Sequence, residues 1–167
     1  MIAEVLNSYD LHLEFLRTLV SDLSAEQMVS QPERVPNHPA WTVGHLAFSC
    51  QAIGGELGLK AWLPADWEEK FGTGSTPVAD ESAYPGKEAL LKALADGKSR
   101  LSAALREMGD VGLAEPLPDV RYRDKFPTIG HAVIHILSGH TALHLGQLTV
   151  WRHAMQLPLV VEPLNQN

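Results

Sequence analysis

A single cysteine, Cys50, leaves no partner for an internal disulfide in a chain of 167 residues and fits a reducing compartment, the cytoplasm. Basic runs are missing as well. Thirteen Lys and Arg stand against 20 Asp and Glu, a formal charge of −7, and no cluster suits a phosphate backbone, so nucleic acid is excluded as the main partner. No uncharged apolar run reaches the length of about 18 residues that spans a bilayer. The start, MIAEVLNSYDLHLEFL, has acidic residues and no basic stretch ahead of an apolar core. Neither a membrane segment nor an export signal is therefore expected. Repeats, low-complexity tracts and strand-like runs able to complete a sheet are lacking too. What remains reads as a soluble chain with one domain over residues 1–167 and a single core.

Helical spacing fills most of that length. Val5, Leu6, Tyr9, Leu13, Leu16, Val20 and Leu23 predict a first helix from Ile2 to about Leu23. Ser24, followed three residues later by Gln27, resembles a capping box and predicts a short extra turn. Pro39 suits a first helical position, and Trp41, His45, Phe48 and Ala52 form one stripe of a second long helix in the segment 37–57. A third helix, from Pro85 to about Met108, turns Leu90, Leu94, Leu101 and Leu105 inward and Lys87, Glu88, Lys92 and Arg100 outward. The long connections are 60–84, with Trp62, Trp67 and Phe71 spaced through it, and 109–127, where Val120, Tyr122 and Phe126 suit a short extended segment. The expected fold is all-α: an antiparallel-type four-helix bundle with long loops between helices 2 and 3 and between helices 3 and 4.

The fourth helix is the chemically loaded one. Thr128 to Met155 runs without proline and carries five of the eight histidines. At about 100° per residue, His140 and His144 share a core-facing stripe with Ile136, Gln147, Leu148 and Trp151. His131 and His135 lie nine residues before them, half a turn round, and are expected packed or solvated on the far face. Burying two imidazoles without partners costs about 1–3 kcal/mol by mutational scales, and a metal would satisfy both. If the second and fourth helices are neighbours, His45 joins them. Gly44, Gly139 and Gly146 each cost about 1 kcal/mol against alanine in a helix interior, and close backbone approach is the expected reason.

Other residues carry two readings. Gln147, one turn below His144, either orients a ligand or water or is a satisfied polar core residue. His12, near the inner edge of the first helix, either meets substrate or supplies a fourth ligand, or is a partly exposed helix-face histidine. His38, before Pro39, is expected in the cap of the second helix. Cys50 is about 140° round from His45 and is expected buried and inert. Arg121, Arg123 and Lys125 either pair with the carboxylates of a small thiol cofactor or form a solvated edge. Trp62, Trp67 and Phe71 either roof a pocket or pack over the bundle end.

The segments NHPAWTVGHLAFS, WEEKFGTGSTPV and HILSGHTALHLGQL together resemble the DinB/YfiT-like family of bacterial metal-binding four-helix bundles, across nearly the whole chain. The resemblance implies one divalent metal held by a histidine of the W-x-x-G-H-L segment and two of the H-x-x-x-H-x-G-Q segment, here His45, His140 and His144. Related members include transferases and isomerases that use bacillithiol, mycothiol or glutathione, so it also implies a low-molecular-weight thiol or another small-molecule substrate. Bundles of this kind often pair through exposed helix faces, and a homodimer is expected on that ground.

Three neutral imidazoles suit zinc, nickel, copper or ferrous iron, and leave a position open for water or substrate; zinc or nickel comes first, then iron. Thr141 follows His140 where a metalloprotease has its glutamate, and the last helix contains no Asp or Glu, so neither that chemistry nor a di-iron site is expected. The leading expectation is a mononuclear metal-dependent transferase or hydrolase; the alternative is a non-catalytic metal-binding or stress-response protein whose metal is structural.

Overall fold

A computed structural model describes residues 1–158 and 160. The first helix, α1 (Ile2–Val20), ends three residues earlier than the apolar spacing predicts. Ser24 then opens the short α2 (Ala25–Val29) with the expected capping box: the Gln27 amide N–H donates to Ser24 Oγ at 3.1 Å, and the Ser24 N–H donates to Gln27 Oε1 at 2.9 Å. The second long helix, α3 (Pro39–Glu56), starts on its proline, with His38 as its cap; His38 Nδ1 accepts from the Trp41 N–H at 3.1 Å. The connection after it is less irregular than its sequence suggests. It contains α4 (Trp67–Phe71) and a 3-10 turn, Glu81–Ala83.

The third long helix, α5 (Lys87–Gly112), is broken at Gly109, whose φ of 69° and ψ of 172° lie where only glycine rests easily. The regular part thus stops at Met108, as the spacing predicts. Leu90, Leu94, Leu101 and Leu105 are all buried. Lys87 corrects the expectation of an outward face. Its ammonium donates to the carbonyls of Val20, Ser21 and Leu23 at 3.3, 3.1 and 2.7 Å, closing the C-terminal end of α1.

The expected extended segment at Val120 to Phe126 is not one. Asp119 accepts the Arg121 N–H at 3.0 Å and nucleates a 3-10 turn, Val120–Tyr122. The loop is tied at its base by an isolated bridge between Pro116 and Thr128, with Ile129 donating to Glu115 at 3.0 Å and Gly130 to Leu113 at 2.9 Å. It is tied at its tip to α3, where the Asp119 N–H donates to Glu56 Oε2 at 2.9 Å. No strand occurs among the described residues.

The last rod is continuous but not uniform: α6 (Ile129–Ile134), a π turn (His135–His140) and α7 (Thr141–Ala154). Helix α3 packs chiefly on α5, and α1 on α7 and α5, while the π turn touches both α1 and α3. Helices α1 and α3 meet across the core, where Tyr9 Oη and Cys50 Sγ are 3.0 Å apart. Four long helices thus enclose one apolar core, and the histidines of α3 and the last rod face it from adjacent positions.

Lys87→Met retains the packing stem and removes the ammonium. It is expected to lower stability by about 1–2 kcal/mol without changing helix content, checked by urea unfolding followed by circular dichroism.

Candidate metal centre

Helix α3 sets up His45 from both sides. Trp41, one turn earlier, lies face to face with the His45 ring at 4.6 Å between centroids and 8° between planes, and its indole N–H donates to Ser75 Oγ at 2.9 Å. Gly44 leaves the space that the Phe71 ring occupies: a Cβ there would stand 2.1 Å from the nearest ring atom. Phe71 is fully buried, wedged against Trp67 at 4.8 Å and Tyr84 at 5.6 Å. With its ring so held, the Phe71 carbonyl accepts from His45 Nδ1 at 2.6 Å. The two residues that precede His45 in W-x-x-G-H-L therefore orient it, one by stacking and one by yielding.

That hydrogen bond fixes a tautomer. A carbonyl only accepts, so His45 carries its proton on Nδ1 and presents a bare Nε2 to the core. There it meets His140 Nε2 at 3.0 Å, and His140 Nε2 meets His144 Nε2 at 3.2 Å. One His140 proton could serve only one of these contacts. The remaining nitrogens would face each other lone pair to lone pair. Two nitrogens bound to one ion at about 2.1 Å, at angles between a right angle and a tetrahedral one, stand about 3.0–3.4 Å apart, so these two spacings fit a shared metal. All three ligand atoms lie within 4.8 Å of one another. No carboxylate or cysteine joins them in that group among the described residues.

Burial and mutual repulsion keep the rings neutral, the form that ligates. Burial, then the neighbouring His144, His45 and His135, lowers His140 from 6.5 to about 3. Burial and His45 lower His144 to about 4, against an opposing contact with Gln147. His45 is lowered by burial, against the Phe71 carbonyl. The Nδ1 atoms of His140 and His144 are buried without a hydrogen-bond partner.

Gln147 sits beside His144 and accepts from Asn37 Nδ2 at 3.2 Å, which ties the last rod to the segment before α3. His12 lies elsewhere. Its Nδ1 is 3.4 Å from the Leu137 carbonyl, on the π turn, and it is not among the residues lining the cavity beside the histidines. His38 is buried in the α3 cap, with Nε2 3.0 Å from the Val78 carbonyl, and His131 bonds Thr128 Oγ1 at 2.8 Å on the exposed side. Cys50 is buried with its thiol pushed up to about 11, an inert state.

Two expectations fail here, for His135 and for two glycines, and two open readings, of the aromatic and the basic clusters, are decided. His135 does not face away from the pair: its ring lies 6.0 Å from His140 and 4.9 Å from Phe126, because a π turn stacks residues five apart. Gly139 and Gly146 face open space, so close approach within the chain does not explain them. Trp62 and Trp67 do not roof the pocket. Trp62 packs on Gly54 of α3, and the cavity is covered instead by Leu117, Tyr122 and Phe126 of the second long connection. Arg121 is paired with Asp119, Arg123 donates to the Leu117 carbonyl, and both are exposed, as is Lys125, so the cluster forms a solvated edge.

His45 and His140, but not His144, line this cavity of about 290 Å³, so the three-nitrogen cluster has one open side. A metal held there would be reached from the cavity.

Gly44→Ala is expected to displace Phe71 and loosen His45, costing about 1–3 kcal/mol of stability and about 10–100-fold in metal affinity, read by unfolding and by competition with a chelator. In the metal-free protein the unfolded imidazoles bind protons first. Stability should therefore be full above pH 6.5 and fall toward pH 4, by at most about 1.4 kcal/mol per pH unit for each ring. Urea midpoints across that range should show a flatter profile for His140→Gln than for the parent.

Comparison with curated proteins and with solved structures gave no match. The family model of the DinB superfamily matches residues 8–148, which takes in most of α1, all of α3, α5 and the π turn, and the three histidines of the cluster. With most of its 167 residues inside that match, this chain belongs to the DinB superfamily.

Proposed function

We propose that the protein is a metal-dependent enzyme in which His45, His140 and His144 hold one divalent transition metal, zinc or nickel ahead of iron, for transfer or hydrolysis with a thiol or water as nucleophile. The observation that carries this reading is the convergence of three buried imidazole Nε2 atoms, those of His45, His140 and His144, beside a cavity that His45 and His140 line. When bound, the ion would supply Lewis acidity, lowering the pKa of a thiol or water toward neutrality. The chain's own residues favour that outcome. Three neutral donors leave the ion's charge uncompensated, which suits activation better than a shell of thiolates would. The Phe71 carbonyl holds the His45 proton at Nδ1, away from the metal side, and Trp41 keeps the ring from turning. Phe48, Ile53 and Phe126 give the approach an apolar wall, beside which charge interactions are stronger than in water.

Elemental analysis of protein purified without added metal or a histidine tag tests the site. About one equivalent of zinc, nickel or iron is expected in the parent and little in His45→Ala and His144→Ala, both still helical by circular dichroism. A chelator should remove the metal and leave the bundle folded. Complete unfolding on chelation would instead assign the metal a structural role, and a parent that neither contains nor takes up metal would sink the proposal.

A further inference from the structure

The cavity beside the three histidines is walled mainly by carbon, with Thr73, Tyr122 and His135 among the polar exceptions. Phe48 and Ile53 of α3, Leu117 and Phe126 of the second connection and Ile136 of the π turn form its sides. Its volume of about 290 Å³ lies at the lower end of the range usual for ligand sites, about 300–1,000 Å³. No lysine or arginine lines it, and its one carboxylate is Glu56. The Ser49 hydroxyl is turned away, donating to the His45 carbonyl at 2.8 Å. Of the cations on the covering loop, Arg121 is held by Asp119, Arg123 donates to the Leu117 carbonyl and Lys125 is exposed; none of the three lines the cavity. An anionic tail laid along this wall, away from the histidines, would be stripped of water and would meet Glu56 in place of a lysine or arginine, a cost that the hydroxyls of Thr73 and Tyr122 offset only in part.

We infer that this cavity binds a small, uncharged, largely apolar molecule with one metal-ligating head, a thiol or carbonyl, and selects against anionic thiols of the peptide type. The direction of the head toward His45 and His140 rests on the metal site proposed above; the fit of the apolar body does not. Glu56 sets the charge selection. Its Oε2 accepts from the Asp119 N–H of the covering loop, which fixes the carboxyl group at the wall and the loop over it.

Calorimetric titration of the zinc-loaded protein with benzyl mercaptan and with 3-mercaptopropionate, which share a thiol head, tests the inference. Benzyl mercaptan is expected to bind roughly tenfold more tightly or better. Glu56→Gln should narrow that gap by strengthening 3-mercaptopropionate. Ala52→Trp, at the exposed rim, should weaken benzyl mercaptan about tenfold with zinc content unchanged. Equal binding of the two thiols, tighter binding of 3-mercaptopropionate, or indifference to Ala52→Trp would overturn it. Benzyl alcohol titrated into the metal-free protein and followed by NMR separates cavity from metal. Saturable shifts at Leu117, Phe126 and Ile136 that vanish in Ala52→Trp are expected even if the parent takes up no zinc, and their absence would overturn the inference whatever the metal result.

Discussion

The position of one proton decides the character of this core. His45 donates from Nδ1 to a backbone carbonyl that can only accept, so its Nε2 reaches His140 bare. Three imidazoles brought together under that restriction cannot satisfy one another by hydrogen bonding. They could relieve the conflict by protonation, but burial and mutual repulsion push His140 and His144 far below their ordinary range. An ion that accepts all three lone pairs removes the conflict without adding a proton. The carbonyl is available because Phe71 is wedged under α3, and Phe71 fits there because residue 44 is glycine. Ligand chemistry, tautomer and helix packing are thus linked through a residue that has no side chain.

Much of this was legible in the sequence because it depends on period and on local caps. The four-residue spacing of His140 and His144 places both on one face whatever the rest of the fold does. Ser24 with Gln27, Pro39 and Gly109 mark helix ends through local chemistry that tertiary structure does not override. The contribution of Phe71 was not legible, because a backbone carbonyl has no identity in the sequence. Lys87 reads as solvent-facing by period, yet the end of α1 and the turn after it present three carbonyls to its ammonium, and that neighbour is a tertiary fact. His135 was misplaced for a different reason: a phase of 100° per residue was carried through a segment that does not keep it.

The two long connections divide the labour around the site. The first carries α4, and through Trp67 and Phe71 it supplies the orienting carbonyl from beneath. The second, tied at its base by backbone bonds and at its tip by Glu56, lays Leu117 and Phe126 over the opposite side. Neither connection contributes one of the three clustered histidines. The helices therefore hold the nitrogens, and the loops determine what can approach them. Loop sequences can then vary the substrate while the ligand set stays fixed, which is how one bundle could serve different chemistries.

The π turn couples the two halves of that arrangement. In an uninterrupted α-helix His135 would sit about 140° from His140 and leave Phe126 without its ring partner at the cavity edge. The wider turn brings His135, His140 and His144 onto one side, but it disturbs the regular pairing of the backbone carbonyls it passes through. Two side chains meet those carbonyls: Thr141 Oγ1 donates to Ile136 at 2.8 Å, and His12 of α1 approaches Leu137 at 3.4 Å. His12 thus touches the turn that carries His140, which accounts for its inward position without placing it in the three-histidine cluster. Because His140 belongs to the cluster and Ile136 to the cavity wall, and both lie within this turn, a shift of its register would move the metal site and the cavity together.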